Sequence, residues 1–274
     1  MSDDATDDGY VLARTAEEYA RLRAQAATWS PMTDQVLVKA GLEEGMSVLD
    51  AGCGPGEVMR LMAKRVGPKG SVTGVDIDAD VGAFGLAQIQ KEEAGDFHFH
   101  AANLLSGAAV PGAPFDMVFC RFLLIHMDDP VKMVRRLAAL TKPGGTLVAM
   151  DYVIDALRIA PFHPVLARGI EIVNSTLAGA GRPLDAGVRL GEWFRDAGLP
   201  MPHGTDVQGF LEVSHADSML AKSVAGFGAG AVKMGLASEE EIARLPDEIR
   251  AVAAKAEHLV HWPTVTAAWT RVGG

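Results

Sequence analysis

Two acids and a run of glycines in this chain have the types and the spacing to hold a ligand. Asp50 ends an apolar run and precedes Gly52, Gly54 and Gly56, and Asp76 ends a second apolar run 20 residues beyond Gly56. Glycine tolerates positive φ and lets a ligand approach the backbone. A carboxylate at a strand end can accept hydrogen bonds from both hydroxyls of a ribose. The spacing therefore predicts a site for a nucleotide-like molecule.

The elements that position these residues follow from the surrounding pattern. Residues 47–51 predict a buried strand, residues 52–57 a tight turn, and residues 58–63 the start of an amphipathic helix. Such a unit places a ligand at the carboxyl end of a parallel strand. A dinucleotide fingerprint requires glycine at the sixth position of the turn, where Glu57 stands. The turn therefore argues against a nicotinamide dinucleotide.

Further segments continue an alternation of strands and helices. Strands are predicted at residues 71–78, 97–104, 114–121 and 142–150. A helix is predicted from residue 130 to residue 140, with proline in its first turn. With the glycine turn, these segments resemble the ordered motifs of the class I, Rossmann-like S-adenosylmethionine (SAM)-dependent methyltransferases of the small-molecule type. The resemblance covers about residues 45 to 152.

This resemblance implies a fold and a methyl donor. The expected fold is α/β, with a seven-stranded, doubly wound, mostly parallel sheet and a helical cap. SAM would be the cofactor and S-adenosylhomocysteine its product. The family usually has Asp where Asn103 stands, contacting the adenine amino group, and an Asn carbonyl accepts the same hydrogen bond. The residues expected to bind the donor are Asp50, Gly52, Gly54, Asp76, Ile77, Asn103, Leu104, Arg121, Tyr19 and Arg23.

Several of these residues keep a second interpretation. Asp50 either contacts the ligand or only holds the amides of the glycine turn. Ile77 packs on the adenine or belongs to an ordinary core. Arg121 faces the donor carboxylate, the acceptor, or a surface acid such as those at 128 and 129. Tyr19 and Arg23, one helical turn apart, close over the donor or simply pack.

Methyl transfer from a sulfonium is an in-line displacement, so alignment and exclusion of water are the main requirements. A base is needed only when the acceptor holds its proton. His126 is the candidate base, because imidazole titrates near neutral pH, although it also suits a structural role in its loop. Tyr152, with Asp151, ends the fifth strand and could orient an acceptor. No metal is expected, because His98, His100, His258 and His261 do not match a zinc-ligand order.

Composition restricts the acceptor. The net charge is -10 and the pI is about 5.2, which argues against nucleic acid as a partner, and Arg135-Arg136 indicates only a solvated helix face. A small-molecule acceptor is therefore expected, apolar or aromatic because of the apolar residues expected in a lid over the acceptor. These residues are Phe162, Leu166, Ile170, Trp193, Phe210, Phe227 and Trp262.

The chain also gives expectations about its surroundings. No apolar run reaches the ~18 residues of a membrane span, and the amino terminus is acidic, unlike a signal peptide. Two cysteines predict no disulfide framework and fit the cytoplasm. A homodimer is left open. Methylation of carbon, nitrogen or oxygen in bacterial secondary or quinone-type metabolism is expected.

Three regions are predicted along the chain. Residues 1–44 form amino-terminal helices that cover the active site, with one helix over 15–28, capped by Thr15, and another over 31–41. Residues 45–154 form the SAM-binding core. Residues 155–274 complete the sheet, with strands near 207–213 and 264–270. They also carry helical lid insertions, as two short helices at about 155–186 and as a mostly helical segment at about 216–257.

Two rival functions share parts of this pattern. An NAD(P)-dependent oxidoreductase would keep the sheet and the acid of the second strand, but Glu57 opposes it. A non-catalytic SAM-binding protein would keep the glycine turn without transferring a methyl group.

Overall fold

The computed structural model describes residues 16–273, with the side chains of residue 23 and of residues 26–273. Within this range the chain forms two compact units. The larger unit contains residues 19–152, 186–208 and 265–273. The smaller unit contains residues 16–18, 153–185 and 209–264.

The larger unit is built on a seven-stranded sheet in the order β3-β2-β1-β4-β5-β10-β7. The strands are β1 Ser47–Ala51, β2 Ser71–Asp76, β3 Asp96–Ala101, β4 Phe115–Arg121, β5 Thr141–Val153, β7 Gly204–Gln208 and β10 Thr264–Arg271. Strands β1 to β5 pair in parallel, and β10 runs antiparallel to β7. The predicted seven-stranded, mostly parallel α/β sheet is confirmed.

The central position of β1 makes its carboxyl end the natural ligand site. Val48 and Leu49 are fully buried between neighbouring strands and the covering helices. The order changes direction at β1, since β2 continues on one side and β4 on the other. In open α/β sheets, ligands bind at such a switch point, outside the carboxyl ends of the strands.

The helices of this unit are α1 Ala16–Lys39, α2 Glu57–Val66, α3 Ala79–Glu92, α4 Pro130–Ala139 and α6 Ala186–Asp196. Asp78 caps α3 by accepting from the amides of Asp80 and Val81, and Asp129 caps α4 by accepting from that of Lys132. The helix expected from residue 130 to residue 140 is confirmed, with proline in its first turn.

The prediction of two amino-terminal helices is wrong, because α1 continues through Pro31. Proline removes one backbone hydrogen bond within a helix. The hydroxyls of Ser30 and Thr33 donate to the carbonyls of Ala26 and Trp29, and the helix buries its apolar face at Trp29, Val36 and Leu37. This packing outweighs the local cost of the proline. The capping residue expected at Thr15 lies outside the described residues.

The smaller unit combines three helices with a small sheet. The helices are α5 Pro164–Gly179, α7 Met219–Lys233 and α8 Glu239–Ala253, and the strands are β6 Arg158–Ala160, β8 Leu211–Val213 and β9 Leu259–His261. The strands form an antiparallel sheet in the order β6-β9-β8. The interior is aliphatic, with Leu166, Ile172 and Ile249 nearly or fully buried.

Several expectations for the carboxyl-terminal region need correction. Residues 155–186 contain one long helix rather than two short ones, and the predicted strand 207–213 divides between two sheets, at β7 and β8. Trp193 lies on α6 of the larger unit and is buried, so it is not a lid residue. The mainly helical prediction for 216–257 is confirmed. A lid function for the smaller unit stays a prediction, to be tested by limited proteolysis with and without ligand.

Candidate functional site

The glycine turn is held against the end of β2 by a carboxylate. Asp76 Oδ2 accepts from the amide of Gly54 at 2.8 Å, and Oδ1 accepts from the amide of Asp78 at 3.0 Å. The amides of Gly52 and Cys53 both donate to the carbonyl of Val75. The acid predicted to bind a ribose therefore lies directly beside the turn, and burial raises its pKa.

The backbone of the turn requires glycine at its bends. Gly52 and Gly56 have φ of +73° and +81°, and a side chain at Gly56 would come within 2.7 Å of Ile89. Gly54 has φ of +48°, and its open side has no heavy atom within 4 Å of an added Cβ. The middle of the turn is therefore a cradle beside Asp76 that an added side chain would fill.

Asp50 is a buried carboxylate without a full set of partners. Its exposed fraction is 1%, and its Oδ2 has no hydrogen-bond partner within the described part of the chain. Its pKa is raised from 3.8 to about 7, because burial and the nearby Asp76 together raise it by more than Arg121 lowers it. An unpaired buried carboxylate oxygen is costly unless a ligand satisfies it. A cationic ligand group would satisfy it.

Arg121, at the end of β4, lies near Asp50 and contacts α1. Its Nη1 donates to Thr33 Oγ1 at 2.7 Å, and its guanidinium carbon lies 5.3 Å from the ring centroid of Phe122. Burial lowers its pKa, while its electrostatic interactions with Asp50, Tyr152 and Glu57 raise it. These contacts do not indicate the alternative interpretation of Arg121, a surface ion pair with Asp128 or Asp129.

Arg23 reaches the glycine turn through an acid. Its Nε donates to Glu57 Oε1 at 3.1 Å, and Arg60 Nε lies 3.5 Å from the same oxygen. Glu57 is therefore the residue that joins α1 to the first turn of α2. The side chain of Tyr19 lies outside the described residues, so its proposed role stays a prediction.

The residues expected around the adenine follow β2 and β3. Ile77 is 62% exposed, which leaves an apolar side chain at the edge of the sheet. Asn103 Oδ1 accepts from the amide of Leu105 at 2.9 Å, so this oxygen caps a 3-10 turn over Leu104–Ser106. The side chain of Leu104 is buried. The contacts of all three with a ligand stay predictions.

Asp151 holds the loop that carries His126. Its Oδ2 accepts from the amide of Ile125 at 3.0 Å, and its Oδ1 from that of Tyr152 at 2.9 Å. Its side chain is buried, and burial raises its pKa from 3.8 to about 7. His126 ends a 3-10 turn over Leu124–His126. Asp151 therefore holds this loop through its amides, and its expected part in orienting an acceptor stays a prediction.

Tyr152 belongs to an aromatic cluster at the ends of β4 and β5. Its ring stacks on Phe122 with centroids 3.8 Å apart and meets Trp29 edge-on at 5.7 Å. Phe122 has φ of +57°, a strained value for a residue with a side chain. The two candidate catalytic residues, His126 and Tyr152, are thus linked through the backbone contacts of Asp151.

Sequence reasoning missed three contributors to this site. Glu57 excluded one ligand class but gave no sign of pairing with Arg23, and Thr33 gave no sign of contacting Arg121. Phe122 belongs to no motif, since it acts through its contacts with Trp29 and Tyr152. One local signal was available near the site: Asp78 precedes a helical pattern, and a capping acid in that position predicts the start of α3.

The described part of the chain shows neither a metal-binding cluster nor a membrane-spanning helix. No group of three or more His, Cys, Asp or Glu side chains has an arrangement that could hold a metal ion. No helix there combines the length and the hydropathy that a membrane span requires.

Comparison with known proteins identifies similar chains. A family profile described as a methyltransferase domain matches residues 42–178. A probable methyltransferase, ltbC, from Aspergillus luteorubrus is 37% identical over 140 residues, which are 44% of this chain and 49% of that protein. The match thus spans about half the length of that relative.

Two other proteins extend the comparison. A ubiquinone biosynthesis O-methyltransferase from Pseudomonas paraeruginosa is 33% identical over 169 residues, covering 59% of this chain and 67% of that protein. A Haemonchus contortus phosphoethanolamine N-methyltransferase 2, solved with phosphomonomethylethanolamine and S-adenosylhomocysteine, shares the fold with a TM-score of 0.51 at 17% identity. That alignment covers 87% of this chain and 52% of the solved chain.

Proposed function

Because this chain belongs to the methyltransferase domain family, we propose that it transfers a methyl group from SAM to a small apolar or aromatic acceptor. The observation that carries the proposal is the buried, unpaired Oδ2 of Asp50 next to the open turn at Gly54. SAM supplies a methyl group activated on a positively charged sulfur. A carboxylate that is buried away from water, beside the open side of a glycine turn, suits such a cationic ligand.

The donor-binding roles divide by chemistry. Asp76 offers carboxylate oxygens to the ribose hydroxyls, and its bond to the Gly54 amide keeps the turn in place. Ile77 offers an exposed apolar side chain to the face of the base. Asp50 and Arg121 provide opposite charges for the ammonium and carboxylate of the donor's amino-acid portion. These residues fit the proposed cofactor, and the proposal includes no metal.

His126 and Tyr152 are the proposed catalytic residues. His126 would accept a proton from an acceptor hydroxyl or amine, and Tyr152 would orient the acceptor by its ring and hydroxyl. Asp151 holds both through the amides of Ile125 and Tyr152, which restricts their movement. Such restriction supports in-line transfer, since alignment supplies much of the rate.

The acceptor and its cellular context are finer parts of the proposal. The cluster of Trp29, Phe122 and Tyr152 supports an apolar or aromatic acceptor, and quinone or secondary metabolism in a bacterium is the proposed setting. The net charge of -10 favours a small molecule over nucleic acid. The two cysteines, both free and buried, support a cytoplasmic protein.

Product analysis tests this function. The purified chain is incubated with SAM labelled on its methyl group and with panels of aromatic, indolic and isoprenoid acceptors, and products are analysed by mass spectrometry. We expect a labelled product from at least one panel, together with S-adenosylhomocysteine. A chain that binds SAM but transfers no label to these panels or to small molecules of a cell extract would be a non-catalytic binding protein.

A further inference from the structure

Arg136, in the last turn of α4, reaches the loop that follows β3. Its Nε donates to the carbonyl of Leu104 at 3.1 Å, and its Nη2 donates to the carbonyl of Ala108. These carbonyls lie at the two ends of a segment that contains the 3-10 turn and Gly107, whose φ is +79°. One guanidinium therefore joins both ends of the loop. The expected solvated role of this arginine is wrong, because half-buried Arg136 is occupied by backbone contacts.

The same loop begins beside the acid of the glycine turn. The amide of Ala102 donates to the carbonyl of Asp76 at 2.9 Å, and Asn103 follows directly. The side chain of Asn103 is bonded to the amide of Leu105 within its own turn. Residues 103–108 therefore leave the sheet beside Asp76, the acid that is proposed to bind the ribose.

We propose that Arg136 is a positioning residue for the base of the methyl donor. By holding the carbonyls of Leu104 and Ala108, it fixes residues 103–108 in the shape that receives an adenosine group. Hydrogen bonds from a charged donor are stronger than those between neutral groups, which suits this function. Arg136 acts through the loop and does not itself contact the ligand. The inference rests on the proposed function.

The neighbouring arginine provides a matched comparison. Arg135 is exposed, and its Nη2 donates to the carbonyl of Asp196, at the end of α6, at 2.6 Å. Both arginines lie on α4 and donate to backbone carbonyls, but only Arg136 reaches the loop after β3. A general effect of removing charge from α4 would appear in both variants.

The test uses Arg136→Gln, Arg135→Gln and Arg136→Lys in the full chain, with calorimetric titration of S-adenosylhomocysteine and of 5′-methylthioadenosine. Arg136→Gln should weaken the binding of both ligands equally, by about 5- to 20-fold, because both carry the adenosine group. Arg136→Lys should be intermediate, since its ammonium lacks the guanidinium fork that donates to two carbonyls. Arg135→Gln should stay within about twofold of the wild type.

A second readout separates positioning from folding. Positioning predicts a raised KM for SAM, an unchanged kcat and a stoichiometry of one. A lower stoichiometry with an unchanged dissociation constant would indicate misfolded protein and overturn the inference. Wild-type affinity in Arg136→Gln would overturn the inference while leaving the proposed function intact. If the wild type bound neither ligand, the proposed function would fail together with the inference.

Discussion

The two units differ in what they bury. The larger unit encloses the carboxylates of Asp50 and Asp151, each 1% exposed, whereas the interior of the smaller unit is an aliphatic cluster. Among the described residues, no carboxylate of the smaller unit is buried. Burying a carboxylate costs stability, so a buried carboxylate with an unpaired oxygen, such as that of Asp50, is a candidate for ligand binding. The comparison assigns chemistry to the larger unit and mainly packing to the interior of the smaller one.

Ile249→Ala tests whether the aliphatic interior of the smaller unit stabilises the fold, and we expect it to have the largest effect of the variants proposed. Ile249 is fully buried on α8, and truncation should lower the free energy of unfolding by about 2–5 kcal/mol. Chemical denaturation measures the change, and Val188→Ala, at a 69% exposed position, is the control. A loss below the level of that control would contradict the assignment of Ile249 to a stabilising core.

His126→Ala tests the chemistry of the larger unit. If His126 is the base, kcat should fall by roughly 10²-fold while the affinity for S-adenosylhomocysteine stays unchanged. Steady-state kinetics and titration measure the two quantities separately. His98→Ala is the control, because His98 is half-exposed beside Asp96. Wild-type turnover would remove His126 from the mechanism.

Asp76→Ala should weaken SAM binding by at least ~1.5 kcal/mol, since it removes charge-assisted hydrogen bonds to the ligand. The loss of the acceptor for the Gly54 amide would add to this effect. Asp116→Ala is the matched control, because Asp116 also accepts from a backbone amide, that of Ser47, but at the start of β4. Equal affinities in the wild type and Asp76→Ala would mean that the ribose acid is misassigned.

The pH dependence of SAM binding is the smallest expected effect. Asp50 has a pKa of about 7, and a cationic ligand favours its ionised form, so binding below pH 7 releases a proton. Affinity should therefore rise by about tenfold from pH 6 to pH 8 and level off above. In Asp50→Asn this part of the pH dependence should disappear. An identical pH profile in the variant would exclude contact between Asp50 and the donor.

The same pKa has a consequence for the free protein. The folded-state pKa of Asp50 lies above its unfolded value of 3.8. The contribution of Asp50 to the free energy of unfolding is therefore fully present below pH 3.8 and is lost as the pH rises through about 7. Asp50→Asn should reduce this loss in denaturation experiments at pH 8.

The sequence predicted most of the fold of the larger unit, because each predicted strand carries both an apolar run and a local turn signal. The smaller unit lacked such signals. Its strands are three residues long, too short for alternation to be visible. The break expected at Pro31 was wrong because tertiary packing keeps α1 continuous. Local propensity was therefore reliable where motifs supported it and weak where only packing decides.

At the site, the sequence identified acids, glycines and Arg121, whose positions at strand ends follow from chain order. It could not identify partners that are distant in sequence, such as Thr33 for Arg121 or Glu57 for Arg23. Nor could it show that Asp151 binds loop amides, since a strand-end acid alone does not indicate where its oxygens point. Motifs specify which residue types meet at the sheet edge, and tertiary contacts specify what each atom does there.

Titration of the purified full chain with S-adenosylhomocysteine and, separately, with NAD tests the central claim most directly. We predict one S-adenosylhomocysteine bound per chain, an affinity that drops at least about tenfold in Asp76→Ala, and no binding of NAD. Binding of NAD with no response to S-adenosylhomocysteine would contradict the assignment of the glycine turn to a methyl donor.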